Sequence, residues 1–373
     1  MSAVVVVAMS GGVDSSVAAA MLKQQGYDLI GVTLNVWPEQ SMEEADTRQS
    51  ACCSLDAVEG ARRVAEQLDI PHYTLNFRDV FDRTVIQDFV AEYSAGRTPN
   101  PCVRCNRFVK FDALLERARA LGADFLATGH YARVGRTSAG RYTLSRGVDG
   151  SKDQSYALYS LTQGQLAGTL LPLGGQTKKE TRRIAADMGL PTADRPESQE
   201  ICFVPDNDHW SFLRRRDPSV ARPGPILDPE GRVVGTHPGI AFYTVGQRKG
   251  LGIANVKPLY VVEIVPDENA VIVGEVERLL SCGLVAGDLN WVSLGETSEL
   301  LRVEAKIRYR AAGVPATARL KEDGSLTVEF DDPQRAVTPG QAVVLYIGDD
   351  VVVGGTIIGS RRPAASDQLT ADG

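Results

Sequence analysis

The apolar run Val4–Ala8 and the glycine-rich turn after it restrict the fold more than any other part of the sequence. Four consecutive valines followed by alanine predict a short strand buried on both faces. Residues 15–25 are rich in Ala, Leu, Met and Gln and predict a helix. A strand, a tight turn and a helix in this order begin a β-α-β unit, so the sequence predicts an α/β domain with a parallel sheet.

The turn between this strand and helix predicts a phosphate site. It reads SGGVDSS from Ser10 to Ser16. The glycines allow a close backbone approach, the helix N-terminus offers N–H groups, and three serines add hydroxyl donors. The turn lacks the lysine of a G-x-x-x-x-G-K-[ST] loop, which indicates that it does not hold a γ-phosphate for transfer. Asp14 within it either binds Mg²⁺ or caps the helix.

Strands and helices continue to alternate up to about residue 205. Further strands are predicted at Leu29–Leu34, His72–Phe77 and Asp124–Thr128, and helices at 55–68, 80–94 and 108–121. This alternation predicts a doubly wound parallel sheet over 1–205. Ligands bind such sheets at the carboxyl ends of the strands, where both the turn and the pair Gly129-His130 would lie.

After residue 205 the pattern changes to short β-branched runs separated by Pro and Gly. Evenly spaced short strands with turn signals predict two small antiparallel β-barrel domains, which we place at 206–280 and 281–362. The polar tail 363–373 is predicted to be disordered.

Composition narrows the class of protein. The 373 residues contain no 18-residue apolar stretch and no basic, then apolar, N-terminal leader, so we expect a cytoplasmic protein without a membrane partner. A net charge of −7 argues weakly against nucleic acid. Six basic residues against one acid between Arg302 and Lys321 nevertheless indicate a local patch suited to a phosphate backbone.

Three of the six cysteines stand in positions that suggest chemistry. Cys102 and Cys105 have CxxC spacing in a proline-rich stretch between two predicted helices, and Cys202 lies near the end of the α/β region. The CxxC pair resembles half of a zinc knuckle, but no second half follows. Cys52, Cys53 and Cys282 receive no role.

Seven motifs in order resemble the tRNA-specific 2-thiouridylases, which are N-type ATP-pyrophosphatases. They span residues 4–360 and read SGGVDSS, GRTPNPC..CN, ATGHY, KDQSY, ICF, GQRKGLGI and TPGQ. The resemblance implies an adenine-nucleotide α-hydrolase-like sheet. It also implies that ATP activates the C2 oxygen of the anticodon wobble uridine, which sulfur then replaces. In this family Cys105 would be the nucleophile and Cys202 the persulfide carrier, and the two would end as a disulfide.

The resemblance also assigns binding residues and partners. ATP would be bound by Ala8, Met9, Ser10, Gly11, Gly12, Val13, Asp14, Ser15, Ser16, Leu34 and Gly129. Asn100 and Cys102 would line the target-base pocket, and the other tRNA contacts would be His130, Lys152, Asp153, Gln154, Arg308, Tyr309 and Gln341. The implied partners are tRNA, as the Lys, Glu and Gln isoacceptors, and a cysteine desulfurase or sulfur carrier as the sulfur donor.

Two questions stay open at this point. Many family members carry Asp where this chain has Cys102, so Cys102, Cys105 and Cys202 would suit a three-thiolate 4Fe–4S cluster as an alternative to the persulfide. The rival functions are an ATP-dependent amide or amidine ligase with a nitrogen nucleophile, thiolation at another tRNA position, and a non-catalytic RNA- or zinc-binding module.

Overall fold

The computed structural model describes residues 2–36, 55–196, 201–204 and 208–362. The predicted disordered tail and the cysteines at 52 and 53 lie outside the described residues. The helices are α1 Val13–Gln24, α2 Leu55–Gln67, α3 at 78–94, α4 at 101–120, α5 Ser155–Leu158, α6 Gln163–Ala167, α7 Lys178–Asp187 and α8 His209–Arg216. Both α3 and α4 contain π-helical stretches, Asp82–Ile86 and Cys105–Leu114.

Seventeen strands are described. They are β1 Val4–Ala8, β2 Asp28–Asn35, β3 His72–Asn76, β4 Phe125–Ala127, β5 Ala132–Arg136, β6 Tyr142–Arg146, β7 Thr169–Leu170, β8 Gly224–Leu227, β9 Val233–His237, β10 Tyr260–Val265, β11 Ala270–Gly274, β12 Leu280–Trp291, β13 Leu301–Lys306, β14 Val314–Leu320, β15 Leu326–Arg335, β16 Ala342–Ile347 and β17 Asp350–Arg361.

The N-terminal sheet is parallel, and its strand β1 is buried on both faces, as predicted. Its order is β3-β2-β1-β4-β7, and each neighbouring pair runs in the same direction. Val5 and Val7 pack into one hydrophobic cluster with α1, while Val6 packs into another with Phe89 of α3. Because successive side chains of a strand point to opposite faces, β1 joins both layers of helices. The carboxyl ends of β1, β2 and β4 therefore meet at one open edge.

The C-terminal strands form a closed antiparallel barrel. Six strands follow one another in the order β12-β15-β14-β13-β16-β17, and β17 pairs again with β12. Leu284, Val328 and Val343 are fully buried in its interior. Closure leaves no free sheet edge within these six strands, which is how small barrels avoid edge-to-edge association.

The middle unit is a four-stranded sheet in the order β10-β11-β8-β9. Its β8–β9 and β10–β11 pairs are antiparallel, but β11 pairs with β8 in parallel, with Val271 opposite Ile226. This parallel pair differs from the prediction of wholly antiparallel strands. The pattern of residues predicts where strands lie, but it does not predict which strands pair or in which direction. The boundaries proposed at 205, 280 and 362 stay predictions.

A hairpin of the first 205 residues reaches the C-terminal barrel. Strands β5 and β6 pair with each other, and Ser145 of β6 pairs with Asp350 of β17. Arg141, between the two strands, donates to the carbonyl oxygens of Trp291 at 2.6 Å and Val292 at 2.7 Å. The α/β region and the barrel are thus joined through one extended sheet. No helix in the described part of the chain is long and apolar enough to cross a bilayer.

Candidate functional site

The glycine-rich turn is shaped by close backbone contacts at the open edge of the sheet. Gly11 has φ +70°, and a Cβ there would lie 2.1 Å from the carbonyl oxygen of Ala57 in α2. The hydroxyls of Ser15 and Ser16 both donate to the Gly12 carbonyl, at 3.1 and 2.9 Å. Only glycine fits the left-handed, crowded position, so the turn can approach an anion closely.

The ends of β1, β2 and β4 surround this turn. A Cβ on Gly129, just after β4, would lie 2.8 Å from both the Asp14 carbonyl carbon and the Ser15 nitrogen. Met9 follows Ala8, the last residue of β1, and is tied to β2 because the Thr33 hydroxyl donates to its carbonyl at 2.7 Å. Leu34 lies further along the same strand, partly buried against the core. The sheet thus brings the predicted ATP residues to one edge.

A buried lysine, which the sequence did not single out for ATP, pairs with Asp14. Lys178 Nζ lies 2.7 and 2.9 Å from the two carboxylate oxygens, and the Tyr131 hydroxyl donates to Asp14 Oδ1 at 2.7 Å. The Lys178 side chain is 11% exposed. Its helix, α7, opens with a capping box between Thr177 and Glu180. Asp14 is therefore held by an ion pair from a distant helix.

Asp14 is also the acidic group of the turn that fits Mg²⁺. Magnesium prefers oxygen ligands and is usually bound by one or two carboxylates together with phosphates and water. A single carboxylate at the phosphate turn meets that requirement, with Lys178 as a neighbouring cation. Among the described residues no group of three His, Cys, Asp or Glu side chains is arranged to hold a metal ion by itself.

Arg195 is a second residue that the sequence analysis missed. Its Nη1 donates to the Gly11 carbonyl at 3.0 Å, and its Nη2 donates to the Asp56 carbonyl at 2.8 Å. Both contacts are long-range, and nothing around Arg195 in the sequence signals them. The guanidinium fixes the turn against the start of α2.

Cys102 and Cys105 lie in a helix, not in the connecting stretch predicted between helices. Helix α4 begins at Pro101, seven residues before the predicted start at 108. The Val103 N–H donates to the Asn100 side chain at 3.3 Å, and proline occupies the first helical position. Asparagine at the N-cap and proline at N1 both favour a helix start, which explains the difference. Cys102 is exposed in the first turn and Cys105 is partly buried.

Cys202 approaches the same hydrophobic core as Cys105. Both side chains pack against the cluster that contains Phe81, Phe89 and Phe212. The next residue, Phe203, lies 5.2 to 5.6 Å from these three rings, centre to centre. The ICF motif is therefore anchored against α3 and α8.

The three thiols do not form the site that the alternative 4Fe–4S cluster requires. A 4Fe–4S centre of that type needs three convergent thiolates. Cys102, Cys105 and Cys202 do not constitute such a group in the described part of the molecule. Cys102 projects from the exposed first turn, while the other two contact the core. The residues present do not fit the cluster.

His130 is buried, although the resemblance implies that it meets tRNA. It is 8% exposed, its Nδ1 lies 2.7 Å from the Thr128 hydroxyl, and its ring lies 5.8 Å from that of Phe111. Burial, assisted by the charge of Lys110, lowers the pKa of His130 well below its ordinary value. The imidazole is therefore neutral at physiological pH.

Of the motif Lys152-Asp153-Gln154, the last two side chains point inward. The Asp153 carboxylate accepts from the N–H groups of Gly147 and Ser155, at 3.1 and 3.0 Å. Gln154 Oε1 accepts from the Tyr131 N–H at 2.9 Å. Lys152 is partly exposed. These contacts shape the backbone that joins the hairpin to α5.

Arg308 and Tyr309 belong to a basic and aromatic surface beside α5. Tyr309 is 41% exposed, and its ring lies 6.1 Å from that of Tyr156. Lys306 Nζ lies 5.8 Å from both ring centres. Arg308 Nη2 donates to the carbonyls of Arg335, at 2.8 Å, and Ala336. Burial lowers the pKa of Lys306 and of Arg308, which shows that both cations are partly desolvated.

The remaining tRNA residue of the resemblance, Gln341, contacts the chain just before the thiols. Its Nε2 donates to the carbonyls of Thr98 at 3.0 Å and Pro99 at 3.1 Å. The Thr98 N–H in turn donates to the Pro339 carbonyl at 2.9 Å. The barrel therefore holds the segment that leads into α4.

Three family models cover most of the chain. Residues 3–206 match a model described as a tRNA methyl transferase HUP domain, and 211–275 match a tRNA methyl transferase PRC-barrel domain. Residues 281–358 match an aminomethyltransferase beta-barrel domain.

Curated relatives match almost end to end. The tRNA-specific 2-thiouridylase of Heliobacterium modesticaldum is 56% identical over 361 residues, covering 96% of this chain and 93% of that protein. That of Moorella thermoacetica is 58% identical over 352 residues, covering 94% of this chain and 98% of that protein. That of Carboxydothermus hydrogenoformans is 53% identical over 354 residues, covering 95% and 97%.

Proposed function

We infer what this chain does from the family to which it belongs, the tRNA-specific 2-thiouridylases, and propose that it replaces the C2 oxygen of the tRNA wobble uridine with sulfur at the expense of ATP. The observation that carries the proposal is that Cys105 and Cys202 pack against the same hydrophobic cluster, in a domain whose open sheet edge carries a phosphate turn. A nitrogen-transferring ligase would need no such pair of thiols.

The turn and its neighbours would act in the first half of the reaction. Uridine O2 attacks the α-phosphorus of ATP, a P–O bond forms, and the bond to pyrophosphate breaks. The N–H groups of the turn, at the N-terminus of α1, suit the departing pyrophosphate. Asp14 would hold Mg²⁺, which neutralises phosphate charge when bound, and Lys178 adds a positive charge beside it. AMP then activates O2 as a leaving group.

The thiols would act in the second half. The terminal sulfur of a Cys202 persulfide attacks C2, and the oxygen leaves with AMP. The Cys105 thiolate then attacks the inner sulfur of Cys202, which breaks the bond to the transferred sulfur and leaves a C2 thiocarbonyl. The products are 2-thiouridine and a Cys105–Cys202 disulfide, which an external dithiol must reduce before the next turnover.

The partners follow from this chemistry. An anticodon base must leave its stack to reach the N-terminal end of α4. In a single-stranded loop this unstacking costs little free energy. The surface of Lys306, Arg308 and Tyr309 suits the neighbouring phosphates and bases. We propose the Lys, Glu and Gln isoacceptors as substrates and a cysteine desulfurase or sulfur carrier as donor, all in the cytoplasm.

Mass spectrometry of tRNA nucleosides tests the proposal. Enzyme, tRNA, ATP, Mg²⁺ and a persulfide donor should yield 2-thiouridine, whereas Cys105→Ser and Cys202→Ser should yield none. Cys282→Ser is the matched control, because that thiol donates to the Arg361 carbonyl in the barrel and should leave thiolation intact.

Several results would contradict it. Full thiolation by Cys105→Ser would show that the sulfur transfer does not use this thiol. A thiolated nucleoside at another tRNA position would correct the substrate, and a methylated one would correct the chemistry. An activity that depends on bound iron and is lost in Cys102→Ser would restore the cluster alternative.

A further inference from the structure

The side-chain amide of Gln341 donates its hydrogen bonds to the protein backbone. Its amide nitrogen carries two hydrogens, and it contacts two backbone carbonyls, those of Thr98 and Pro99. We propose that Gln341 is a positioning residue, which fixes the segment before the thiol helix α4 through these two carbonyls. The proposal rests on the assignment of Cys105 as the nucleophile.

The rest of the turn 338–341 grips the same segment. The Pro339 carbonyl accepts from the Thr98 N–H at 2.9 Å. A Cβ on Gly340, which has φ +89°, would lie 2.8 Å from both the nitrogen and the oxygen of Thr98. Three successive residues therefore contact Thr98. Pro339 accepts from its N–H, and Gln341 donates to its carbonyl.

The middle unit contacts the same segment. A Cβ on Gly96 would lie 2.7 Å from Ile264 Cγ2, and the Thr98 hydroxyl lies 3.3 Å from that of Thr244. Residues 96–99 are thus enclosed by both C-terminal units before the chain enters α4. Their position depends on parts of the sequence more than 140 residues away.

The geometry carries this restraint to the thiols. Asn100 follows Pro99 directly and caps α4 through the Val103 N–H. Proline at 99 and 101 restricts φ at both positions and limits the residue before each, so little freedom remains between the gripped carbonyls and the first helical turn. A change at Gln341 should therefore move the helix start that carries Cys102 and Cys105.

The test uses Gln341→Glu, which keeps the shape of the side chain but places a carboxylate against two carbonyl oxygens. Gln341→Met, which is neutral and lacks the donors, guards against failure to fold. The matched control is Gln163→Glu, because Gln163 Nε2 also donates to two carbonyls, those of Tyr142 and Val292, far from α4 in the chain. The first measurement is the alkylation rate of Cys105 as a function of pH in full-length enzyme without tRNA. The others are tRNA affinity and the single-turnover thiolation rate at saturating tRNA.

We expect both Gln341 variants to change the Cys105 alkylation profile and to slow thiolation about tenfold, because small misplacements of reacting groups cost that much. Gln163→Glu should change neither the profile nor the rate, and saturating tRNA keeps the thiolation rate independent of any change in tRNA affinity. A wild-type alkylation profile in both Gln341 variants would overturn the inference. Since alkylation is measured without tRNA or ATP, its outcome does not depend on whether the proposed reaction is correct.

Discussion

At the scale of single residues, Lys178 supplies a charge that the phosphate turn lacks. A loop that holds phosphate usually carries its own lysine, whereas here α7 presents one from 164 positions away, paired with Asp14. Removal of this cation leaves a partly buried carboxylate at the place where pyrophosphate would depart. Both effects oppose the binding of an anion.

We predict that Lys178→Met slows tRNA-stimulated ATP–pyrophosphate exchange by about 100-fold, equivalent to about 2.7 kcal/mol of transition-state stabilisation. Lys179→Met is the control, because the neighbouring lysine is exposed and should have little effect. Isotope exchange measures both. Equal rates for the two variants would show that the buried lysine has no role in the ATP step.

His130 predicts a pH dependence of stability. Its pKa is lowered by burial, so the folded protein holds the neutral ring while the unfolded chain takes up a proton below pH about 6.5. Stability from this group is therefore present above that pH and falls as pH decreases, by at most about 1.4 kcal/mol per pH unit.

Urea unfolding between about pH 7.5 and 5, a range that spans the ordinary histidine pKa of about 6.5, measures this effect. We expect the loss of stability on acidification to be smaller in His130→Gln than in wild type. The comparison isolates His130, because burial also lowers the pKa of His72 and His237 in both proteins. Parallel curves would contradict the prediction.

At the scale of elements, the start of α4 decides where the thiols lie. The prolines around Asn100 suggested a loop, since proline is rare inside helices, yet Pro101 occupies the one helical position that tolerates it. Helices α1 and α2 lie close to their predictions, because helix propensity and apolar spacing are both local properties of the sequence. The contacts of Lys178, Arg195 and Gln341 could not be predicted, since each partner lies far away in the sequence.

Asn100→Ala should destabilise the protein by about 1 kcal/mol through the loss of the cap, whereas Asn100→Asp keeps an acceptor oxygen and should stay near wild type. Urea denaturation of both variants tests this difference. If alanine proves as stable as asparagine, the cap does not hold the helix start, and the role of Asn100 is then limited to the substrate.

At the scale of the whole molecule, the hairpin β5–β6 joins the nucleotide-binding sheet to the barrel. The sequence did not predict this hairpin, because its alternation of apolar residues is weak and its partner strand is β17. The closed barrel was predicted, since its strands are rich in β-branched residues and evenly spaced. The positions of strands can be predicted from the local sequence, whereas the pairing of distant strands depends on the complete fold.

Arg141 tests this junction. Its two hydrogen bonds to Trp291 and Val292 come from a charged donor, so we predict that Arg141→Ala lowers the free energy of unfolding by about 2 kcal/mol. Arg136→Ala is the control, because Arg136 Nε donates to Gly140 within the hairpin. Equal losses, measured by urea denaturation, would show that the link to the barrel contributes nothing of its own.

The enclosure of residues 96–99 by both C-terminal units has a consequence for how such enzymes can be recombined. A chimaera that exchanges only the barrel between two relatives also exchanges the residues facing Thr98 and Pro99. The turn at 338–341 of the incoming barrel must then fit a segment 96–99 that evolved together with a different turn. The segments 96–99 and 338–341 should therefore be taken from the same parent. Crossover points that separate them should yield folded proteins with impaired sulfur transfer.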